Sequence, residues 1–347
     1  MTHYLVTGGC GFLGSNIASR LVEAGEQVTI ADNLSRTGST RNLTWLRNQG
    51  TLDFVTLDVR DAPAVDAFVS RVRPDVVLHL AGQVAMTTSL ADPRLDFEVN
   101  AAGSLNVLEA VRAHCADAAV VYSSSNKVYG ELGSVRLEEA ERRYVAPDHP
   151  DGIDETAPLE FCTPYGCSKG AADQYLLDYA RVYGLKTVVF RHSTIYGGRQ
   201  FATVDQGWVG WFCSKATEAT REAAVEPFSI SGNGKQVRDV LYVDDAIDVY
   251  LAAAERADSV AGQAFNIGGG IHNSSSLLEL FDRLERLTGA EMRYSAGPWR
   301  AHDQRFFVAD CAKAHRLLGW RPRTDIEAGV SRTLDWAGEL LEDTPAD

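Results

Sequence analysis

A glycine-rich run, TGGCGFLGS (7–15), places Gly8, Gly11 and Gly14 between two different kinds of segment. Before it stands a short apolar stretch, HYLVTG (3–8), and after it Leu13, Ile17, Leu21 and Val22 recur at helical spacing, with Gly25 as a stop signal. That order predicts strand, tight turn and amphipathic helix. Glycines at such a turn let the backbone approach a pyrophosphate, and the helix N-terminus offers N–H groups and positive dipole to it. The motif alone is weak, but the strand-turn-helix context is the one the chemistry needs.

Asp32 ends the next strand-like run, QVTIAD (27–32). A carboxylate there hydrogen-bonds the ribose hydroxyls of NAD and repels the 2′-phosphate of NADP. Arg36, close by, would suit NADP, and Asp32 outweighs it. Asp58 and Val59 after a third run, LDFVTLD (52–58), are placed to meet adenine, and Leu80 and Ala81 after a fourth, DVVLHLAG (75–82), to wall the cofactor. Simple packing at strand ends is the plainer alternative for these positions.

Two more runs, AAVVYSS (118–124) and KTVVFRH (186–192), read as strands. None alternates apolar with polar residues, as expected when both faces of a sheet are covered. Strands alternating with helical segments predict an α/β fold with a doubly wound parallel Rossmann sheet. Past residue 195 the pattern loosens into short strands, turns and a helix at SSLLELFDRLERLTG (275–289), which predicts a smaller, discontinuous α/β substrate domain. The expected division is 1–193, with a return near 240–270, for the cofactor, and 194–239 with 271–340 for the substrate.

The formal net charge of -14 argues against a nucleic-acid surface. No apolar run is long enough for a bilayer span, and the first residues lack a secretory pattern, so no membrane association and a cytoplasmic location are expected. The six cysteines are scattered without metal-ligand spacing, so no metal site is expected.

In TPYGCSKGAADQYLLDYA (163–180), Tyr165 and Lys169 share one helix face. A tyrosine of ordinary pKa near 10 is a poor base, and a neighbouring ammonium and a nicotinamide cation favour its phenolate. Upstream, VVYSSSNKVYG (120–130) ends a strand in a serine run at the sheet edge where ligands sit. Ser125 is the expected hydroxyl between substrate and Tyr165. Ser124 is the alternative, and Ser123 and Ser124 are otherwise expected to satisfy backbone groups.

Gly8, Gly11, Gly14, Asp32, Asp58, Leu80, Ala81, Asn100, Ser125, Tyr165 and Lys169 together resemble the extended short-chain dehydrogenase/reductases, the NAD-dependent epimerase/dehydratase family. The likeness spans nearly the whole chain. A narrower one rests on HLAGQVAMTTS (79–89), SSNKVYG (124–130), RQFATVDQGWVGWF (199–212), SGNGKQVRDVL (231–241) and DQRFFVAD (303–310). These runs resemble the branch of CDP-tyvelose (CDP-paratose) 2-epimerases. The resemblance implies transient oxidation at C2 of a CDP-linked 3,6-dideoxyhexose by tightly bound NAD that is regenerated each cycle. Tyr165 would be the base, Lys169 would lower its pKa and hold the nicotinamide ribose, and Ser125 would position the proton. Dehydratases of the family carry Asp-Glu where this chain has Asn126 and Lys127, which argues against elimination of water. Thr194 stands where many relatives have asparagine, and favours the narrower likeness.

The expected cofactor set is Gly8, Gly11, Phe12, Leu13, Gly14, Asp32, Asn33, Ser35, Arg36, Asp58, Val59, Leu80, Ala81, Gln83, Asn100, Tyr165, Lys169 and His192. The expected substrate set is Thr87, Thr194, Arg199, Gln200, Arg238, Arg300 and Asp303, with Arg238, Arg300 and Asp303 implied for the diphosphate and ribose. Gln206, Lys235, Trp208 and Trp211 are further candidates for that pocket. The resemblance also implies a homodimer or homotetramer, to which Leu176 and Leu177 would contribute unless they belong to the core. Alternatives are an epimerase for CDP-glucose or a UDP-sugar, and a non-catalytic dinucleotide sensor.

Overall fold

The computed structural model describes residues 1–221, 226–300 and 302–342. Seven strands form the main sheet: β1 (His3–Thr7), β2 (Gln27–Asp32), β3 (Asp53–Thr56), β4 (Val76–His79), β5 (Ala119–Ser125), β6 (Lys186–His192) and β7 (Gln263–Ile267). Their order is β7-β6-β5-β4-β1-β2-β3, and every pairing is parallel. The chain winds outward in one direction through β2 and β3 and in the other through β4 to β7. The reversal between β1 and β4 leaves a crevice at the carboxyl ends of the strands.

Alternate residues of each strand enter different cores. Val6, Ile30, Leu78, Val121 and Phe190 pack on one face, whereas Leu5, Ala31, Val77, Val120 and Val189 pack on the other. Burial at both parities is why these strands read as continuous apolar runs. Helix α1 (Phe12–Glu23) buries Ile17, Ala18 and Leu21 and ends before Gly25, whose φ of 77° suits glycine.

Outside the main sheet, Val237–Tyr242 is the organising strand. It runs antiparallel to Ser274–Ser276 and parallel to Phe306–Phe307 and to Thr194–Tyr196. Phe228–Ser231 pairs in parallel with Tyr294–Gly297. The helix foreseen at 275–289 spans Leu277–Thr288 and begins with a capping box between Ser276 and Glu279. No helix among the described residues is long and apolar enough to cross a membrane, and none of their His, Cys, Asp and Glu residues cluster as a metal site.

Candidate active site

A cavity of about 740 Å³ opens at the crevice. Its wall at one end is the glycine turn. Gly8 has a φ of 68°, and a Cβ there would lie 2.7 Å from the Ala81 nitrogen; at Gly14 it would lie 2.3 Å from the Gly8 oxygen. Both positions are therefore closed to a side chain. Gly11 caps α1 without a side-chain hydrogen bond, so the N–H groups of the first turn remain for a ligand. Phe12, Leu13, Asn33, Ser35, Arg36, Val59, Leu80, Ala81 and Gln83 line the same space, as expected.

Asp32 is buried at the end of β2. Its two oxygens accept the N–H of Cys10 at 2.9 Å and of Leu34 at 2.7 Å, which aims the carboxylate into the cavity. Burial raises its pKa, opposed by those two N–H groups. Asp58 is held down to about 2, chiefly by hydrogen bonding to Arg60, and also accepts from Asn33. Asp58 is therefore ionised at neutral pH. A pyrophosphate cradle, a ribose-reading carboxylate and an apolar wall fit a dinucleotide.

The helix Thr163–Tyr183 brings up the reacting groups. Tyr165 lines the cavity together with Ser125, which ends β5 and whose hydroxyl works against the rise in the phenol's pKa. Ser124 is settled differently. Its hydroxyl donates to Asp173 at 2.9 Å, and Asp173 takes both arms of the Arg191 guanidinium at 2.9 Å. The Ser124 hydroxyl thus serves a buried ion pair, not the backbone as expected.

Lys169 does not line the cavity; its ammonium donates to the Ser123 carbonyl at 2.9 Å and lies 5.0 Å from the centre of the Tyr122 ring. The Tyr165 phenol is not lowered in the protein by itself. Burial pushes it up to about 12 against the opposing Ser125 hydrogen bond, while burial lowers Lys169 to about 8. Asn100 is buried one layer behind the wall, in a π-helical turn, Glu98–Ala102. It accepts the Gln83 N–H at 2.9 Å and donates to the Gln83 carbonyl at 3.0 Å, so it fixes the loop that faces the cofactor without itself facing it. His192 does line the cavity, kept neutral by burial with a pKa of about 3, one ring nitrogen 2.7 Å from the Tyr250 hydroxyl.

Thr194, Arg199, Gln200, Gln206, Trp208 and Arg300 also line the cavity. Trp208 donates to the Thr194 hydroxyl at 3.0 Å. The Arg199 guanidinium is sandwiched 4.6 Å from the Trp45 ring and 4.7 Å from the Trp336 ring. Thr87 and Thr88 are both exposed, and of the two only Thr88 borders the cavity, as does Met86. Arg238 and Asp303 stand just behind the wall, bonded to each other at 3.0 Å. Lys235 is spent on Glu139. Trp211 packs on Phe212 and Phe228 in the core, and Leu176 is fully buried.

Sequence reasoning passed over Lys127, a cation in the cavity wall, and Asn126, whose amide donates to the buried Gln304 at 2.9 Å. It also passed over Asp96, a buried carboxylate accepting from Ser168 and from Gln83 at 3.1 Å. Lys127 had a signal in the unusual SSNKVYG, where it was read only as the loss of an acid.

The profile of the NAD dependent epimerase/dehydratase family matches residues 4–268. The chain belongs to that family. It is an NAD-dependent nucleotide-sugar epimerase, and NAD is its cofactor. It is 53% identical to the CDP-paratose 2-epimerase of Salmonella typhi over 97% of this chain and 99% of that one. A UDP-glucose 4-epimerase of Mycolicibacterium smegmatis is 31% identical, covering 96% of this chain and 97% of its own. Among solved structures, the Thermotoga maritima UDP-glucose 4-epimerase with UDP-glucose superposes with a TM-score of 0.83 at 31% identity, over 98% of this chain and 99% of that one. The Thermus thermophilus UDP-glucose 4-epimerase in complex with NAD gives 0.79 at 29% identity, over 97% and 99%.

Proposed function

We propose that this epimerase converts CDP-paratose to CDP-tyvelose by inverting C2 of the sugar. The observation that carries the reading is that Ser125 and Tyr165 line one cavity together with a dinucleotide cradle and the cations Lys127 and Arg300. Its support for the substrate is the 53% identity to a CDP-paratose 2-epimerase over almost the full length of both chains.

Bound NAD supplies a hydride acceptor at the sugar carbon and the same hydride for return. Tyr165 takes the proton of the C2 hydroxyl as that carbon is oxidised to a ketone. A phenol at about 12 needs help to ionise, and positive charge beside it supplies that help. Ser125 holds the sugar oxygen in line with Tyr165. Lys169, one helical turn on, keeps a positive charge beneath both. The ketone turns over, its other face receives the hydride, and Tyr165 returns the proton to oxygen. Atoms and electrons balance with no second substrate. Asn126 and Lys127 supply no carboxyl groups for removing water, which favours epimerisation over dehydration.

We further read residues 1–193, with the return near 240–270, as the cofactor half, and 194–239 with 271–340 as the substrate half. A homodimer or homotetramer is supported by the exposed Tyr175, Val182 and Tyr183 on the Thr163–Tyr183 helix, and action in the cytoplasm by the absence of a membrane-crossing helix among the described residues. The decisive experiment incubates the purified protein, with no added cofactor, with CDP-paratose and in parallel with CDP-glucose, and follows the sugar protons by NMR. Appearance of CDP-tyvelose is expected. Turnover of CDP-glucose alone would move the substrate, and no change in either after adding NAD would overturn the CDP-sugar reading.

A further inference from the structure

Three cations gather at the end of the cavity away from the glycine turn. Lys127 and Arg300 line it, and Arg238 stands behind them. One oxygen of Asp303 serves two of the three: it accepts from Lys127 at 3.2 Å and from Arg238 at 3.0 Å. Arg300 acts electrostatically on both Lys127 and Asp303. The side chains of Lys127 and Arg238 are only 14% and 11% exposed. Buried cations in excess of their bonded carboxylate are costly, and an anion entering the cavity removes the cost. The same imbalance shows in Lys127 itself: burial first, then repulsion from Arg238, lowers its pKa to about 8.

Position separates Lys127 from the two arginines. Its N–H donates to the Ser125 hydroxyl oxygen at 3.2 Å. Its carbonyl lies 3.0 Å from where a Cβ would stand on Gly166, the neighbour of Tyr165 in the chain. The backbone of Lys127 is thus anchored at the reacting pair, and its ammonium reaches from there to Asp303. In a nucleotide sugar the diphosphate hangs from C1. C2 adjoins that carbon, whereas C4 lies across the ring. An enzyme that oxidises C2 must therefore hold the sugar-side phosphate close to its base.

We propose that Lys127 binds the sugar-side phosphate of the substrate and so sets C2 as the carbon presented to Tyr165. This deepens the C2 reading above and rests on it. Arg238 remains bonded to Asp303 and to the Gln304 carbonyl at 2.7 Å, so removing the Lys127 ammonium leaves that carboxylate paired.

The test is calorimetric binding of CDP and of CMP to the NAD-loaded protein, for the unaltered chain and for Lys127→Met and Lys127→Arg. CMP carries the nucleoside-side phosphate only. The unaltered protein is expected to prefer CDP. Lys127→Met should weaken CDP by about tenfold to a hundredfold, the worth of one charge-assisted hydrogen bond, and leave CMP unchanged. Unchanged CMP binding and retained NAD report an intact fold. Lys127→Arg should recover most of the preference, and kcat/KM for CDP-paratose should follow CDP affinity across the three proteins. Equal weakening of CDP and CMP, or of neither, would overturn the assignment. If the unaltered protein leaves CDP-paratose untouched, the C2 part falls, while a selective loss of CDP in Lys127→Met still upholds the phosphate contact.

Discussion

Ser124 and Ser125 are adjacent in sequence and buried alike, yet their hydroxyls answer to different partners. Ser125 lines the cavity with Tyr165, whereas Ser124 completes the Asp173–Arg191 ion pair. Tyr165→Phe should lower kcat by about 10²–10⁴-fold, the usual worth of a positioned acid/base, with NAD retained. Ser125→Ala should lower kcat by about tenfold or more. Ser124→Ala should instead cost about 1–3 kcal/mol of stability, since it strips a partner from a buried carboxylate, and change kcat little. Steady-state rates beside urea unfolding of the three variants separate these outcomes; a Ser124→Ala protein of full stability and crippled kcat would reverse the assignment. The residue types of the site were legible because each has one job at one spacing: Tyr165 four before Lys169, Asp32 at a strand end, a serine run after β5. Side-chain direction was not. Nothing local states that Lys169 turns to the Ser123 carbonyl, that Arg238 is bonded to Asp303, or that Thr88 and not Thr87 borders the cavity, because tertiary neighbours choose among those directions.

At the scale of elements, the parallel strands were legible for a physical reason. Both faces are buried, so each strand is a short apolar run, and β1 to β7 fall where those runs stand. The strands outside the main sheet were less so. Phe306–Phe307 and Ser274–Ser276 are two and three residues long and exist because Val237–Tyr242 is there to bond them. Such pairings join residues far apart in sequence and leave little periodic pattern in either partner. The glycine turn is the opposite case, specified by local sterics. A methyl group on Gly14 would meet the Gly8 oxygen and, at 2.7 Å, the Gly9 Cα, all backbone that cannot rotate away. Gly14→Ala should therefore displace α1 from the turn and spoil the cradle. The expected result is protein purified without resident NAD, measured by release and chromatography of the nucleotide, with turnover restored in part by added NAD. A Gly14→Ala protein that keeps a full complement of NAD would show that the turn can open without loss.

For the whole molecule, acid is the condition that bears on the site and the core together. His79 lies fully buried under the sheet edge, 2.7 Å from the Thr7 hydroxyl and 3.0 Å from that of Ser104, and His192 lies in the cavity wall. Burial first, then the charge on Lys169, lowers both to about 3 from the ordinary value of 6.5. The unfolded chain takes up these protons as pH falls through 6.5, and the folded chain does so only near 3. The stability they confer is thus complete above the ordinary value and is lost progressively below it. From about pH 7.5 to about pH 5.5 each histidine costs about 1.4 kcal/mol. Asp239 works in the other direction. Burial raises it to about 6, so the folded chain takes that proton first and gains stability on acidification, and the gain over the same interval is about 0.8 kcal/mol. The balance is a loss of about 2 kcal/mol, read as a lower urea midpoint with an unchanged slope. If the midpoint stayed level or rose between those two pH values, the two histidines would have to carry their protons in the folded protein, and the neutral ring at the back of the active site would be wrong.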